Sequence, residues 1–218
     1  MRAAVAVLVL GVALAVGLPT AWTVARPGVA AGPPVASVLT IPPAPTGSVP
    51  SGAPSPVAAR PAAPPPVRAV VPPVRVQLPG TGIDAPLDPV GVEPDGAMTL
   101  PADVDRAGWY RFGPVPGAVE GTAVLAGHVD DEEQGLGVLA ALRTVQPGAE
   151  VLVTDGAGAV TAWRVVGREL IEKPAVPLTT LFGRTGPPRL VLLTCGGEFL
   201  PELRSYRDNL VVVAEPAS

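Results

Sequence analysis

The chain has 218 residues, a formal net charge of -4 at pH 7 and a sequence pI near 5.0. This length allows one ordinary domain with appendages, and the lack of a basic field or a basic, aromatic-rich cluster argues against nucleic acid as a partner. Of the 30 prolines, 15 lie between Pro27 and Pro73, so the folded part is shorter than the whole chain.

The first element along the chain is an uncharged apolar run. Residues 3–25 are nearly all Ala, Val, Leu and Gly, and they lie between Arg2 and Arg26. About twenty such residues can cross a hydrocarbon core. A cleaved secretory signal is the alternative, but the run is long for one and residues 23–25 form a poor cleavage site. We therefore expect residues 1–25 to be a transmembrane anchor or a signal, with the anchor favoured. The protein would then be a single-pass protein of the cell membrane with its bulk extracellular.

The second segment, residues 26–73, consists mainly of Pro, Ala, Val, Gly and Ser, with three Arg as its only charged residues. Such a composition buries too little apolar surface to offset chain entropy, and its prolines favour extended conformations. The segment is predicted to be a disordered, semi-rigid linker.

From residue 74 onward, short apolar runs alternate with turn signals. Runs of this kind predict β-strands joined by tight turns, and about eight of them in one domain predict an antiparallel β-barrel or sandwich. Brief helical turns are predicted at residues 137–144 and 178–182. Residues 74–218 are therefore expected to form one all-β domain. The predicted strands are residues 74–78, 83–87, 97–100, 121–126, 150–154, 160–166, 190–194 and 210–214.

The chain contains one Cys and one His, and each follows a strand-like run. Cys195 comes directly after residues 190–194, and His128 follows residues 121–126. Functional groups are often presented where a rigid scaffold gives way to a loop. A thiol is the best nucleophile available at neutral pH, and an imidazole can exchange protons with leaving and entering groups. The pair therefore predicts acyl transfer.

Other interpretations of the pair stay open at this point. A lone Cys can be a small buried hydrophobe, and a lone His at a strand end is more often a surface residue than a catalyst. In an exported protein, however, an unpaired Cys is expected to be reactive or to pair with another chain. Acyl transfer also needs a group that holds the oxyanion. The candidates are the backbone at Gly196-Gly197 and the arginines Arg204 and Arg207.

Short motifs around these residues resemble the sortases, the cysteine transpeptidases of Gram-positive cell surfaces. Residues 193–195 read Leu-Thr-Cys, residues 126–128 read Ala-Gly-His, and Arg207 precedes the last predicted strand. The wording is most similar to the class E and F sortases of high-GC Gram-positive bacteria, class F foremost, and the resemblance runs from about residue 75 to residue 214. The similar motifs are Gly108-Trp109-Tyr110, Gly113-Pro114-Val115-Pro116-Gly117, Gly127-His128-Val129-Asp130, Thr194-Cys195-Gly196-Gly197 and Tyr206-Arg207-Asp208-Asn209.

The resemblance implies that residues 74–218 form a sortase catalytic domain, a closed eight-stranded sortase-type β-barrel. It implies that Cys195 attacks the Thr-Gly bond of an LPxTG-like C-terminal sorting signal on a secreted protein. The acyl group would then pass to an amine on a peptidoglycan precursor or a pilin. His128 would be the general acid and base, and Arg207 matches the family's arginine, with Arg204 as the alternative. The guanidinium would favour the thiolate of Cys195.

Thr194 and Gly196 are further candidates for contact with substrate, although Thr194 could equally just end its strand. Asp130 is expected to cap a turn or face solvent rather than to orient His128. No metal is expected, because one His and one Cys cannot close a zinc site. No cofactor is expected either, because no phosphate-binding or dinucleotide fingerprint follows a strand. The acidic run at residues 130–133 is interpreted as a solvated loop rather than a calcium site.

Residues 78–82 read Leu-Pro-Gly-Thr-Gly, the pattern that sortases cleave, which would make this chain a substrate. A sorting signal precedes a C-terminal apolar span, whereas these residues begin the folded domain, so we interpret them as a turn between the first two strands. Two alternatives to a sortase remain. One is a catalytically idle, surface-displayed β-barrel that binds a partner, and the other is a different Cys/His cell-wall transpeptidase or hydrolase.

Overall fold

The computed structural model describes residues 30–40 and 71–217. The predicted anchor at residues 1–25 lies outside the described residues, as do residues 41–70 of the predicted linker. In the two described stretches, no helix is both long and apolar enough to span a bilayer.

Eight strands close into a β-barrel. They pair in the order β1-β2-β3-β4-β9-β10-β8-β7, and β7 returns to β1. The short strands β5 and β6 form a separate ribbon. The closed eight-stranded barrel that the resemblance implies is therefore confirmed. The strands are β1 Pro73–Leu78, β2 Ile83–Val90, β3 Ala107–Tyr110, β4 Thr122–Ala126, β5 Asp130–Asp131, β6 Gly135–Leu136, β7 Glu150–Asp155, β8 Val160–Glu172, β9 Arg189–Leu200 and β10 Ser205–Pro216.

Three details of the strand pattern differ from the prediction. Residues 97–100 are not a strand and make only an isolated bridge, between Val92 and Met98. The strand β3 lies where none is predicted, because four residues that include a glycine are too few to show an alternating pattern. The pairings β2-β3 and β4-β9 are parallel, so the barrel is mixed rather than antiparallel. Parallel neighbours need long connections, and residues 97–100 lie in the connection between β2 and β3.

The strands β9 and β10 are buried on both faces. Leu192 and Val212 belong to the core inside the barrel, whereas Val191 and Val211 belong to a second apolar cluster on its outer side. All four side chains are fully buried. Two buried faces explain why this part of the sequence is continuously apolar instead of alternating. Because side chains alternate along a strand, Cys195 shares the outward face with Val191.

The predicted helical turns are both present. The first turn buries Leu139 and Leu142 in the core of the barrel, and the second buries Leu181 in the outer cluster. Two further 3₁₀ turns lie near the end of β8 and between β9 and β10. The 3₁₀ helices are Val138–Thr144, Lys173–Ala175 and Pro201–Leu203, and the α-helix α2 is Leu178–Leu181.

Residues 30–40, a part of the predicted linker, pack against the outside of the barrel. Ala31 and Arg168 exchange two backbone hydrogen bonds of 2.8 Å. Val35 and Leu39, 0% and 5% exposed, enter the outer apolar cluster. Burial of such side chains contributes about 1.5–3 kcal/mol each. This stretch is therefore ordered, unlike the disordered linker that its composition predicts. Its helix, α1, spans Val35–Leu39.

The Leu-Pro-Gly-Thr-Gly stretch at residues 78–82 joins β1 to β2 as a turn. The Thr81 hydroxyl donates to the carbonyl oxygen of Leu78 at 2.7 Å, and the Thr81 amide donates to the same oxygen at 3.2 Å. The Leu78 side chain is only 1% exposed in the core. These bonds confirm the interpretation as a turn. The buried leucine argues against a role as a sorting signal, because a leucine packed in the core is not free to enter another protein's groove.

Candidate active site

Cys195 lies within β9 rather than just past its end. The strand runs on to Leu200, and Cys195 is paired with Asn209 of β10. On its other side β9 is paired with β4 only as far as Leu193, opposite Ala126. The half-buried thiol is therefore flanked by β10 on one side and by the loop that follows β4 on the other.

His128 lies in that loop, two residues after the end of β4, as predicted. The side chain is half-buried, and its Nε2 is 3.1 Å from the carbonyl oxygen of Pro101. A carbonyl oxygen can only accept a hydrogen bond, so Nε2 is the donor. The other ring nitrogen, Nδ1, is therefore the one left to exchange a proton with a reacting group.

Two hydrogen bonds hold the His128 loop against the strand that carries Cys195. The Gly127 amide donates to the Leu193 carbonyl oxygen at 3.1 Å. The Thr194 hydroxyl donates to the Gly127 carbonyl oxygen at 2.9 Å. The second of these bonds joins the residues directly before the predicted nucleophile and the predicted base. Thr194 is 4% exposed and uses its hydroxyl inside the protein, so the structure gives it a positioning contact in addition to its place beside the site.

A groove of about 660 Å³ opens on Cys195. Its walls come mainly from β9 and from two connections, the one between β2 and β3 and the one between β8 and β9, and aromatic and aliphatic side chains form much of the surface. The rings of Tyr110 and Phe182 pack edge to face, with 4.9 Å between their centroids. A largely apolar cleft with a few polar groups at one end is typical of a substrate site. Its lining includes Tyr110, Val176, Phe182, Leu193, Thr194 and Cys195.

Arg207 lies on β10, two residues before Asn209, which is paired with Cys195. Its guanidinium does not line the groove. Nε and Nη2 donate to the two carboxylate oxygens of Asp208 at 3.0 and 3.2 Å, and Nη1 reaches Glu198 at 3.5 Å. The Asp208 carboxylate raises the pKa of Arg207 above its ordinary value. The guanidinium is therefore held by two acids at the edge of the site.

Arg204, the alternative arginine, points into solvent. Its side chain is 86% exposed and its nearest acidic partner, Glu132, is 3.9 Å away. It is also a residue with a left-handed backbone conformation, at φ 45°, in the turn between β9 and β10. Neither Arg204 nor Arg207 lines the groove.

The two glycines after Cys195 are required by close packing. A Cβ on Gly196 would lie 2.7 Å from Cδ1 of Leu170. A Cβ on Gly197 would lie 2.0 Å from Oδ2 of Asp208, and the backbone of Gly197 has φ +76°, which favours glycine. Gly197 thereby lets the buried carboxylate approach the strand, and that carboxylate binds Arg207.

A second cavity of about 320 Å³ lies on the other side of Cys195, at the mouth of the barrel. Asp130, Tyr206 and Gly196 line it, and the Tyr206 hydroxyl donates to the Asp130 carboxylate. This carboxylate, with burial as a smaller cause, raises the pKa of Tyr206 to about 12. Asp130 therefore neither caps a turn nor simply faces solvent as expected, but fixes Tyr206 beside the thiol.

Lys173, which the sequence does not single out, is a further charged residue in the groove. It follows β8 directly, and its Nζ donates to the Ser205 hydroxyl at 2.6 Å. Its one distinguishing mark in the sequence is that it is a lysine where the other 14 basic residues are arginines. The presence of a single lysine has no functional meaning from composition alone. The approach of Lys173 to Cys195 depends on strand pairing, which the sequence does not show.

Three causes act on the pKa of the Cys195 thiol. Burial raises the pKa, the Lys173 ammonium lowers it, and the Asp130 carboxylate raises it. The net direction is upward from the ordinary value. In the absence of substrate, the thiol form is therefore favoured.

Three of the four residues in the acidic run at residues 130–133 are exposed, and only Asp130 is half-buried. The carboxylate of Asp131 accepts the backbone amides of Glu133 and Gln134 at 2.9 and 3.0 Å, which closes a tight turn. Within residues 30–40 and 71–217, no group of three His, Cys, Asp or Glu side chains is arranged to hold a metal ion.

Comparison with known proteins identifies the family. The profile described as "Sortase domain" matches residues 76–217. No curated protein matches the chain. Among solved structures, sortase C-1 from Actinomyces oris has a TM-score of 0.52 at 15% identity, over 66% of this chain and 73% of that chain. Sortase A from Listeria monocytogenes has a TM-score of 0.50 at 19% identity, over 68% of this chain and 88% of that chain.

Sortase A from Corynebacterium diphtheriae is a further structural neighbour, with a TM-score of 0.51 at 17% identity, over 69% of this chain and 63% of that chain. At these identities the neighbours establish the fold alone, and they span sortases of more than one class. The profile match covers well over half of the sequence and includes His128, Cys195 and Arg207. The chain therefore belongs to the sortase family of cysteine transpeptidases.

Proposed function

We propose that this sortase is a class E/F-like enzyme, with class F favoured, that cleaves an LPxTG-like C-terminal sorting signal between Thr and Gly. The observation that supports this substrate is the groove of about 660 Å³ that leads to Cys195. Its apolar walls suit the Leu and Pro of such a signal, because burial of apolar groups drives binding. The short motifs shared with class E and F sortases support the class.

In the first half of the reaction, the Cys195 thiolate attacks the carbonyl carbon of the signal's Thr and forms a C–S bond. The tetrahedral oxyanion then collapses, the C–N bond to Gly breaks, and the His128 imidazolium gives its proton to the departing amine. Nδ1 is the nitrogen assigned to this transfer, since Nε2 is bonded to the Pro101 carbonyl. The product is a thioacyl enzyme and a released C-terminal peptide.

In the second half, an amine on a peptidoglycan precursor or a pilin attacks the thioester carbon. Neutral His128 takes a proton from the attacking amine, the C–S bond breaks, and Cys195 leaves as a thiolate. An amide bond now joins the secreted protein to its acceptor. Each half-reaction moves one proton through the same imidazole, so His128 returns to its starting form after one cycle.

Arg207 is the proposed partner of the oxyanion. To act in this way its guanidinium must turn away from Glu198, a contact of 3.5 Å between side chains that are 48% and 68% exposed. Exposed ion pairs of this kind contribute about 0–1 kcal/mol, so this movement costs little. The buried carboxylate of Asp208 would keep the arginine near the site throughout.

We further propose that residues 1–25 anchor the protein in the cell membrane with the catalytic domain outside the cell. The support is the uncharged apolar run at residues 3–25. Cell fractionation and protease accessibility test this. The full chain should sediment with membranes and be digested from outside the cell, whereas a cleaved signal would release the domain into the medium.

The central experiment compares the full-length protein with its Cys195→Ala variant on a library of sorting-signal peptides and a soluble amine. The wild type should cleave at Thr-Gly, form a thioacyl adduct visible by mass spectrometry and produce the amide. The variant should do none of these. If the wild type processes no peptide and the variant behaves identically in cells, the chain is an idle binding barrel or an enzyme of another specificity.

The arginine assignment is tested by a matched pair of variants. Arg207→Ala should lower kcat/KM by about a hundredfold or more, the usual loss for one oxyanion donor, with an unchanged fold by circular dichroism. Arg204→Ala should stay within a few-fold of wild type, because its side chain is in solvent. Wild-type rates for Arg207→Ala would show that another group holds the oxyanion.

A further inference from the structure

The groove that opens on Cys195 also carries a cation. In register, Cys195 lies opposite Asn209, and Asn209 lies opposite Ile171 of β8, so these three residues form a row across the sheet. β8 ends one residue after Ile171, and Lys173 begins the 3₁₀ turn that follows it. Lys173 and Cys195 both line the groove, which places the ammonium on the groove side of the thiol.

The Lys173 ammonium is held in place by a hydroxyl. Nζ donates to Ser205 Oγ at 2.6 Å, and the same hydroxyl lies 3.4 Å from the Tyr206 carbonyl oxygen, to which it donates its own proton. The Ser205 oxygen is thereby left as an acceptor for the lysine. An ammonium has three N–H donors, so two remain to face the groove.

The arginine proposed for the oxyanion is already bound to acids. Arg207 donates two hydrogen bonds to Asp208 and one to Glu198. Its guanidinium does not line the groove. Its charge is largely balanced where it lies, whereas the hydrogen-bond partner of Lys173 is a neutral hydroxyl. Among the described residues, Lys173 is the cation whose charge acts on the thiol.

Several charged or titratable groups surround Cys195. On the groove side, the end of β8 contributes Lys173, with Glu172 before it. On the cavity side, β5 contributes Asp130, β10 contributes Tyr206, and the barrel interior contributes a buried arginine. The groups that line the groove or the second cavity together with Cys195 are Asp130, Arg143, Arg168, Lys173 and Tyr206, and His128 lies in the loop that follows β4.

These charges act in opposite directions. Burial and Asp130 both disfavour the thiolate, and Lys173 opposes them. A thiol in a partly apolar groove needs a nearby positive charge to react at neutral pH.

We propose that Lys173 is a positioning residue of the nucleophile, whose ammonium stabilises the thiolate of Cys195 from the groove side. The inference rests on the proposed function in that Cys195 is taken as the nucleophile. Arg207 is then reserved for the oxyanion that forms after the attack. Two cations would divide two tasks, since one acts before C–S bond formation and the other acts after it.

The test measures the pH dependence of Cys195 alkylation by iodoacetamide in the full-length protein. Cys195 is the only cysteine in the chain, so the reaction reports one thiol and needs no peptide. The variants are Lys173→Met, which keeps the length and removes the charge, and Lys173→Arg, which restores the charge. Arg164→Met, on the exposed side of β8, controls for the loss of one positive charge.

In Lys173→Met the alkylation midpoint should move to higher pH, with a thiolate fraction at pH 7 lower by about three- to tenfold. A more basic thiolate is a better nucleophile, which partly offsets the lower thiolate fraction. The alkylation rate at pH 7 should therefore fall by less than this fraction, about two- to fivefold. Lys173→Arg should lie near wild type, and Arg164→Met should coincide with it. Where peptide is cleaved, kcat/KM of Lys173→Met should fall at pH 7 and recover at higher pH.

The proposal is overturned if the Lys173→Met profile coincides with wild type, or if Arg164→Met moves the midpoint equally. It is also overturned if the loss of kcat/KM is the same at every pH, because that outcome indicates a purely structural role. Thermal unfolding of each variant verifies the fold. If no peptide is processed by wild type, the proposed function fails, yet the alkylation profile still decides the inference about Lys173.

Discussion

Gly197→Ala should destabilise the protein by more than the cost of its backbone conformation. At φ +76° an alanine costs about 1–2 kcal/mol relative to glycine. In addition, the new Cβ would lie 2.0 Å from Oδ2 of Asp208, so this carboxylate, which is buried, must move by about 1.5 Å to reach an ordinary contact. That movement weakens its two bonds to Arg207, which are charge-assisted but half-exposed. We expect a total loss of about 3–4 kcal/mol in the free energy of unfolding.

The matched control is Gly80→Ala. Gly80 has φ +79° and no heavy atom within 4 Å of an added Cβ, so this variant carries the backbone cost alone, about 1–2 kcal/mol. Urea unfolding of both variants gives the difference, expected to be about 2 kcal/mol. Equal losses in the two variants would refute the claim that Gly197 exists to admit Asp208. A larger loss in Gly197→Ala, together with reduced turnover, would connect this contact to Arg207.

Three further predictions concern the surroundings of the site. Asp130→Asn should let Tyr206 ionise at a pH below about 12, because the carboxylate that holds the tyrosine proton is gone. Ultraviolet titration of the protein's two tyrosines measures this change. An unchanged titration would contradict the hydrogen bond between Tyr206 and Asp130. Thr194→Val should lower stability by about 1–3 kcal/mol in urea unfolding, because it leaves the Gly127 carbonyl without this donor, and a wild-type midpoint would show that the bond is dispensable. Leu39→Ala should lower the stability of the docked segment by up to about 2–4 kcal/mol, limited by the free energy of docking of residues 30–40. Ser37→Ala, at an exposed position, should change it by no more than about 0.5 kcal/mol. Proteolysis within residues 30–40 measures the undocking, and equal cleavage rates in both variants would contradict the contribution of Leu39.

The parts of the fold that local pattern specifies were predictable from sequence. Residues 190–194 and 121–126 are apolar runs bounded by polar or flexible residues, and both are strands that lead to Cys195 and His128. Residues 97–100 show the limit of the same reasoning. They have the pattern of a strand, but no neighbouring strand is available to pair with them beyond one bridge. The local pattern of a segment does not show whether a partner strand is available for it in the fold.

The charged neighbours of Cys195 were not predictable, because they depend on pairings between distant segments. Lys173 reaches the groove through the pairing of β8 with β10 and of β10 with β9. Asp130 reaches Tyr206 across 76 residues of sequence. Residues 30–40 mislead in another way, because composition averages over a long segment whereas docking depends on two side chains, Val35 and Leu39.

The docked segment also determines where mechanical load would enter the barrel. Besides the bridge between Ala31 and Arg168, the Val35 amide donates to the Glu169 carboxylate at 2.8 Å, so the attachment is to β8. A pull on the chain before Ala31 would therefore act first on β8 and on its partner β10, and not on β1, where the barrel begins in sequence. Because β10 also pairs with β9, the strand that carries Cys195, the docked segment is linked to the nucleophile through two neighbouring strands.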